Sequence, residues 1–332
     1  MKYELVSVIV PVYNVSEYLD EFLNTLCSQT YKNLEIILSE DCSTDNSLEI
    51  CNDWANKDSR IKVIQSTKNG GVSNARNLAL DKFSGKYVYF ADPDDVLHPD
   101  LIEILVNHIV DHNADIALCH ESAFKDGISL PSFTTTSDDA FTIENHAQYI
   151  EHFADAFTGP IGWTWNKLYP ASLIKGLYFE PNTAYQDILF NALCSVRIKR
   201  AVWTNKRLYG YRIRSESITG AGTKDVATEA ANVYIKIFEI FKSTDESFSF
   251  RYLLFALAKI ARLRVQCKLN SWHKSEKHIK DLYNHYYDNY KKLFKYSSEP
   301  NKITIFCSRF LARHCFPIFY LVVKREFKHK YN

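Results

Sequence analysis

An apolar, aromatic segment that runs directly into a cluster of carboxylates constrains the fold of this chain more than any other feature. Residues 86–91 read Lys-Tyr-Val-Tyr-Phe-Ala, which is typical of a buried strand, and Asp92, Asp94 and Asp95 follow at once. Such charges repel one another by about 1 kcal/mol per pair at about 4 Å, even in water. A divalent cation with oxygen ligands, Mg2+ or Mn2+, would relieve this repulsion, and open α/β sheets bind ligands beyond the carboxyl ends of their strands. The alternative is an acidic turn, in which Pro93 forms the turn and an aspartate caps the next helix.

The size and charge of the chain exclude several classes of protein. A length of 332 residues is enough for one large or two medium domains, and a formal net charge of +1 gives no argument for nucleic-acid binding. The eight cysteines include no Cys-x-x-Cys pair, and a strand-like segment starts close to Met1 with no leader before it. We therefore expect reduced thiols and a cytoplasmic protein. No uninterrupted apolar run reaches the roughly 18 residues of a membrane span.

Strand-like and helical segments alternate over the first third of the chain. Near-continuous apolar runs predict strands at 5–10, 34–38, 61–64 and 87–91, with amphipathic helices between them. We therefore predict an α/β fold with a mostly parallel sheet. A further helix is expected at 143–157, and the last third of the chain is mostly helical in pattern.

Polar or glycine-rich residues follow each of these predicted strands. Pro11 and Tyr13 follow the first strand, and Asp41 follows the second, where its carboxylate could accept the imide N–H of a pyrimidine base. Residues 69–77 supply flexible glycine backbone and the guanidinium of Arg76. Because the carboxyl ends of parallel strands meet at one edge of the sheet, these groups and the acidic cluster should converge there. The combination predicts a pocket for a nucleoside diphosphate with its metal.

Each of these features also has a purely structural interpretation. Asp41 with Ser43 is an ordinary strand-to-helix turn, Gly70-Gly71 is a common flexible connector, and a single arginine such as Arg76 is more often part of a surface ion pair. The order and spacing of all of them together favours the pocket. A dinucleotide-dependent dehydrogenase is disfavoured, since no Gly-x-Gly-x-x-Gly follows the first strand.

Five segments of the chain resemble the family 2 glycosyltransferases. They are residues 6–14, 28–35, 41–45, 69–77 and 90–95. The resemblance implies a GT-A fold: a nucleotide-sugar-binding α/β domain with a metal-binding Asp-x-Asp element and an inverting reaction. It implies a catalytic domain at 1–222, with a nucleotide-binding half at 1–120 and an acceptor-binding half at 121–222, followed by a helical region at 223–332.

The resemblance also implies roles for individual residues. Asp92-Pro93-Asp94 is similar to the Asp-x-Asp element, which places a divalent metal at Asp94 or Asp95, and Asp41 is similar to the family's base-recognising aspartate. The donor is expected to be a UDP-sugar, and the residues implied to bind it are Pro11, Tyr13, Asp41, Asn69, Gly70, Arg76, Asp92 and Arg212.

The second half of the chain supplies one candidate catalytic base, Asp187. The segments 165–169, 176–179 and 185–190 look like the acceptor side of the family, where the last segment usually reads Glu-Asp. Asp187 matches the catalytic aspartate, but Gln186 replaces the usual glutamate. An inverting transfer needs one carboxylate to accept the proton of the attacking hydroxyl. The alternative for Asp187 is a helix N-cap.

The residues that follow the base offer further candidates. The segment 209–218 is similar to the family's basic loop that closes over the diphosphate, with Arg212 and Arg214 as candidate contacts and a solvated basic strand as the alternative. Trp163 and Trp165 could stack on the face of a sugar, although such rings are as often part of the core.

The C-terminal tail, residues 303–330, mixes apolar and basic side chains. Arg309 and Arg313 lie inside its apolar stretch and Pro317 divides it, which argues against a membrane span. A basic amphipathic segment on an anionic membrane surface fits better, with a packed C-terminal helix as the alternative.

We therefore predict an inverting, metal-dependent glycosyltransferase that moves a sugar from a UDP donor to a glycan or lipid-linked oligosaccharide of a bacterial surface polysaccharide. It would be peripheral to the inner face of the cell membrane and could form homo-oligomers. The alternative is a non-catalytic nucleotide-sugar-binding or membrane-scaffold protein derived from such an enzyme, which only Gln186 favours.

Overall fold

A computed structural model describes two compact units of the chain. The units are Met1–Ser217 and Ile218–Asn332. The described residues are 4–125, 127, 131, 133, 141–155, 161–183, 185–213, 224–244 and 246–293. The predicted tail at 303–330 and Arg214 lie outside the described residues.

The first unit is built on one mixed sheet, which has nine strands in the described part of the chain. They are β1 (Val6–Val12), β2 (Leu34–Glu40), β3 (Ile61–Gln65), β4 (Tyr87–Phe90), β5 (Val96–Leu97), β6 (Ile116–Lys125), β7 (Phe141–Asn145), β8 (Lys167–Pro170) and β9 (Arg200–Ile213). Their order is β3-β2-β1-β4-β8-β6-β9-β5, and β7 pairs with β9.

The α/β fold is confirmed, and the parallel pairing predicted for the first four strands is present. β1 pairs in parallel with both β2 and β4, and β2 pairs in parallel with β3. From β4 onward the sheet changes, because β8 is antiparallel to both β4 and β6, although β6 and β9 are parallel. The sheet as a whole is therefore mixed rather than mostly parallel.

Helices cover the sheet of the first unit. They are α1 (Ser16–Cys27), α2 (Ser47–Lys57), α3 (Val72–Leu80), α4 (Leu101–His112), α5 (His146–Asp155), α6 (Ala171–Ile174) and α7 (Gln186–Ser195). The periodic residues Leu19, Phe22, Leu23 and Leu26 of α1 are all buried, as their helical spacing predicts. The helix predicted at 143–157 is wrong at its start, because β7 pairs with β9 there and tertiary pairing overrides the local pattern.

Three long helices form the described part of the second unit. They are α8 (Lys224–Lys242), α9 (Glu246–Leu269) and α10 (His273–Leu293). α9 packs against both neighbours, with Ile237, Leu257, Ile260 and Tyr283 among the buried side chains. None of the helices in the described residues combines the length and apolar character that a bilayer crossing needs.

A buried carboxylate joins the strands at the edge of the sheet where β2 begins. Glu35 accepts hydrogen bonds from the Ser7 hydroxyl at 2.6 Å, from the backbone and hydroxyl of Ser84 at 2.9 Å, and from Lys62 Nζ at 2.6 Å. Burial alone would raise the pKa of Glu35, but the hydrogen bonds from Lys62, Ser7 and Ser84 outweigh it and lower the pKa to about 2. The contacts link β1, β2, β3 and the turn before β4.

We expect Glu35→Gln to remove most of the stability that this cluster adds. A folded-state pKa of about 2, against 4.5 for the free group, corresponds to about 3 kcal/mol, which is present above pH 4.5 and lost as the pH falls toward 2. Urea unfolding at pH 7 and pH 3 should show a smaller loss on acidification in Glu35→Gln than in the wild type. The exposed Asp53→Asn should behave as the wild type. Equal losses in Glu35→Gln and wild type would contradict this role.

Candidate functional site

The predicted site residues of the first two strands lie side by side at one edge of the sheet. Val12 of β1 is in register with Glu40 of β2, so Tyr13 and Asp41 follow adjacent strand ends. Tyr13 is 45 % exposed, whereas Asp41 is buried. Pro11 lies within β1 and is itself buried. The structure therefore presents Tyr13 at the surface of this edge and encloses the other two.

Asp41 holds the glycine loop that leads into α3. Its Oδ1 accepts the Gly70 N–H at 2.9 Å and its Oδ2 accepts the Gly71 N–H at 2.6 Å. Gly71 has a φ of +80°, a left-handed conformation that favours glycine, and its N–H also lies 3.2 Å from Asn69 Oδ1. The contact between Asp41 and Gly70 agrees with the expectation that both line one pocket. That Asp41 recognises a base stays a prediction. Its hydrogen bonds to the loop are a structural role that the sequence did not indicate.

Arg76 forms a buried ion pair with the first aspartate of the acidic cluster. Its guanidinium lies 2.7 Å from Asp92 Oδ1 and 5.2 Å from the centre of the Phe179 ring. The Arg76 side chain is 4 % exposed and that of Asp92 is 28 % exposed, so the pair is reached from solvent at its carboxylate end. The Nε of Arg76 has no hydrogen-bond partner among the described residues. This cation offsets part of the like-charge repulsion in the cluster.

Asp95 ties the acidic cluster to β9 from inside the protein. Its carboxyl accepts the Tyr209 hydroxyl and the Arg212 backbone N–H, each at 2.7 Å. The Tyr209 oxygen also accepts the backbone N–H of Asp92 at 3.3 Å. Burial, with Asp94 and Asp92 nearby, raises the pKa of Asp95 well above its usual range. Asp95 therefore supports the cluster, and its predicted metal contact stays a prediction.

The side chain of Arg212 is also buried against the acidic cluster. Its Nε donates to the carbonyl oxygen of Asp94 at 2.7 Å, and its guanidinium pairs with Glu21 of α1. The same group lies over the rings of Phe124 and Tyr18, at 4.6 and 5.0 Å from their centres. These contacts fix the backbone of the cluster, and the diphosphate contact predicted for Arg212 stays a prediction.

The carboxylates that reach solvent suit a metal that is shared with a substrate. Asp92 and Asp94 are partly exposed, while no group of three or more His, Cys, Asp or Glu among the described residues is arranged to hold a metal. Mg2+ bound with a nucleotide commonly uses one or two protein carboxylates together with phosphate oxygens. Asp92 and Asp94, two carboxylates that reach solvent, fit the oxygen-donor set of such an ion.

Asp187 lies in the first turn of α7 and interacts electrostatically with Arg76 and Asp92. Its Oδ1 accepts the backbone N–H of Ile188 at 2.8 Å. Burial raises the pKa of Asp187 to about 6, Arg76 opposes the rise and Asp92 adds to it. The structure thus brings the candidate base into the same electrostatic environment as the acidic cluster. The N-cap position of α7 is Tyr185, so Asp187 lies inside the first turn and is not the helix N-cap that the alternative interpretation expected.

The residue before the base is buried and polar. Gln186 is 6 % exposed, and its Oε1 has no hydrogen-bond partner among the described residues. A glutamate at this position would place a second buried carboxylate beside Asp187, and like-charge repulsion would raise the pKa of the pair. Gln186 keeps the size of the side chain without that charge.

Lys167 is a residue of this region whose position the sequence did not indicate. It is fully buried in β8, donates to Asn166 Oδ1 at 2.7 Å and also donates to the Trp163 carbonyl. Burial lowers the pKa of Lys167 to about 7, and Asp187 opposes this. Lys167 is the first residue of β8, where a lysine is ordinarily exposed, so the sequence carried no signal for its burial.

The fold and this cluster define an α/β protein of the GT-A type. Residues 7–177, just over half of the chain, match the family model described as Glycosyl transferase family 2. The chain belongs to this family.

Relatives of known classification support the family assignment. The chain is 36 % identical over 229 residues to glycosyltransferase GlyA of Streptococcus pneumoniae, a match that covers 66 % of this chain but only 32 % of GlyA. It is 31 % identical to glycosyltransferase GlyG of the same organism, over 65 % of this chain and 73 % of GlyG. The chain thus spans about a third of GlyA and most of GlyG.

A solved structure shows the same fold. The crystal structure of Staphylococcus aureus TarS 1–349 in complex with UDP-GlcNAc has a TM-score of 0.59 and 20 % sequence identity. The match covers 86 % of this chain and 91 % of that one.

We expect Tyr209→Phe to destabilise the acidic cluster. The change removes a donor from the buried Asp95 and an acceptor from the Asp92 backbone, which should lower the free energy of unfolding by about 1–3 kcal/mol. Urea unfolding measures this loss. Tyr87→Phe makes the same change on β4, where no bond to Asp92 or Asp95 is described, and should cost less. Equal costs for the two variants would contradict a special role of the Tyr209 hydroxyl.

Proposed function

We propose that this chain is an inverting, metal-dependent glycosyltransferase that moves a sugar from a UDP donor to a hydroxyl of a glycan or lipid-linked oligosaccharide. The observation that carries the proposal is the Arg76–Asp92 ion pair near the carboxyl edge of the sheet, with Asp187 near enough to interact electrostatically with both groups. Family membership and the UDP-GlcNAc complex of the related TarS fold support a nucleotide-sugar donor. The relatives GlyA and GlyG are bacterial glycosyltransferases, and a role in surface polysaccharide synthesis belongs to the same proposal.

In the proposed reaction Asp187 is the general base. It takes the proton of the acceptor hydroxyl while that oxygen bonds to C1 of the sugar, and the bond from C1 to the diphosphate oxygen breaks on the opposite face. The electron pair of that bond leaves with UDP. A base whose pKa is about 6 is deprotonated at neutral pH and still accepts a proton readily.

The acidic cluster would receive the metal–diphosphate end of the donor. Asp94, with Asp92 beside it, would hold the metal, and Asp95 would act as the buried support of this loop. A cation held there would offset the charge that develops on the leaving diphosphate. Tyr13 and Asn69, both exposed at the same edge, would contact the nucleoside.

The location of the protein and its partners extend the proposal. A cytoplasmic enzyme peripheral to the inner membrane face, bound through the basic tail at 303–330, would meet a lipid-linked acceptor there. Homo-oligomers belong to the same proposal. The second candidate function is a non-catalytic nucleotide-sugar-binding or scaffold protein, which the buried, uncharged Gln186 beside Asp187 favours.

Donor binding should depend on metal and on Asp94. In saturation-transfer NMR with UDP-Glc, UDP-Gal, UDP-GlcNAc and UDP-GalNAc, we expect one donor to bind in the presence of Mn2+ and to lose that binding in Asp94→Ala, since an oxygen ligand is removed. Asp53→Ala, an exposed change on α2, is the matched control. Donor binding that is equally strong without Mn2+ and in Asp94→Ala would overturn the proposed metal site.

Catalysis should depend on the deprotonated form of Asp187. We expect kcat/KM to rise with pH through about 6 and then level, because the base is protonated below its pKa of about 6. Asp187→Asn should lower the rate about 10²- to 10⁴-fold and leave donor binding intact. Donor binding by a wild-type protein that neither transfers nor hydrolyses the sugar would favour the non-catalytic alternative.

A further inference from the structure

Four aromatic rings form a stack between the acidic cluster and the loop before β8. The Trp165 ring is nearly parallel to those of Trp163, Tyr209 and Tyr211, with ring centres 4.6, 4.3 and 5.7 Å away. One face of an indole has no room for two parallel rings as close as those of Trp163 and Tyr209. Both faces of Trp165 are therefore covered, and Trp165 belongs to the core.

Trp163 is the end ring of this stack among the described residues. It is partly exposed, whereas Trp165 is 5 % exposed. Trp163 is therefore stacked on Trp165 and partly exposed to solvent, whereas Trp165 is buried. The two tryptophans that the sequence left undecided thus differ in exposure.

The backbone at Trp163 is held in place from α7. The Trp163 carbonyl accepts Asn191 Nδ2 at 3.0 Å and also accepts Lys167 Nζ. Asn191 is fully buried, binds the Gly162 carbonyl at 2.8 Å and accepts the Tyr169 hydroxyl at 2.7 Å. With its polar atoms engaged on several sides, Asn191 fixes the loop rigidly to the helix.

The same helix carries the candidate base. Asp187 and Asn191 are four residues apart in α7, so they lie on one face, one turn from each other. The segment that bears Trp163 is therefore anchored about 6 Å along the helix from the base. The group that approaches Asp187 in a transfer reaction is the acceptor hydroxyl, which places the acceptor beside this loop.

We propose that the partly exposed indole of Trp163 is the stacking surface for the acceptor sugar, a pyranose whose C–H-bearing face lies against the ring. The inference rests on the proposed function and names the acceptor class for that site. A pyranose ring presents a flat, weakly apolar face that suits an aromatic ring, and a linear polyol with similar hydroxyls has no such face. The proposed donor site lies at the Tyr209 end of the stack, because the Tyr209 hydroxyl bonds to Asp95 and to the backbone N–H of Asp92 in the acidic cluster.

The test uses saturation-transfer NMR of the full chain with saturating UDP and Mn2+. The probes are the methyl β-pyranosides of glucose, galactose, N-acetylglucosamine and N-acetylgalactosamine, with sorbitol as the polyol that lacks a ring. We expect at least one pyranoside to bind and its C–H protons on one ring face to receive the strongest saturation, while sorbitol does not bind.

Variants of Trp163 separate a flat surface from simple bulk. Trp163→Phe should retain pyranoside binding, and Trp163→Leu, apolar but not flat, should weaken it about tenfold or more. Trp54→Leu changes another partly exposed tryptophan, on α2, and should have no effect. UDP binding that persists in every variant shows that the fold and the donor site are intact.

Three results would overturn the inference. The wild type could bind UDP but no pyranoside, Trp163→Leu could bind the pyranoside as well as the wild type does, or sorbitol could bind as well as the pyranoside. Each of these results would refute the stacking surface and leave the proposed function standing. A wild-type protein that binds no UDP at all would instead remove the proposed function, and the acceptor surface with it.

Discussion

The structure depends on how the carboxylates after β4 are kept together. Each carboxylate is stabilised in a different way. Asp92 pairs with Arg76, and Asp94 stays partly exposed to solvent. Asp95 is buried and accepts hydrogen bonds from Tyr209 and the Arg212 backbone. Under the proposed function, one or two of these carboxylates would be enough to hold a metal that is shared with the diphosphate. The buried member gives the loop its shape, and the more exposed members provide its charge.

The groups that support this cluster come from distant parts of the chain. Arg76 lies on α3, Tyr209 and Arg212 on β9, and Glu21 on α1, so the site is complete only when the strands that join these elements are in place. Glu35 acts at the opposite edge, where it links the first strands without contact to the site. The sheet is thus held together at both edges, by Glu35 at one and by the contacts of Asp95 at the other.

Much of this arrangement could be predicted from the sequence, for definite reasons. Apolar runs mark the parallel strands, and a parallel sheet brings their polar ends together, which is why Asp41, the 69–77 loop and the acidic cluster were recognisable. The antiparallel β8, the strand β7 and the bonds from Asp41 to Gly70 arise from pairing between distant segments, for which the local pattern carries no signal. The burial of Asp95 and Lys167 could not be predicted for the same reason, because the neighbouring sequence does not distinguish a buried charged residue from an exposed one.

The anchoring of the Trp163 loop to α7 has a consequence for regiochemistry. One rigid helix carries both Asp187 and Asn191, so the spacing between the candidate base and the anchor of the Trp163 backbone is fixed by the helical rise. Under the proposed function, the hydroxyl that is glycosylated is the one that this spacing brings to the carboxylate. Selection among the hydroxyls of an acceptor would then be a matter of length measured along α7, and a relative with a shifted anchor would join its sugars through a different carbon.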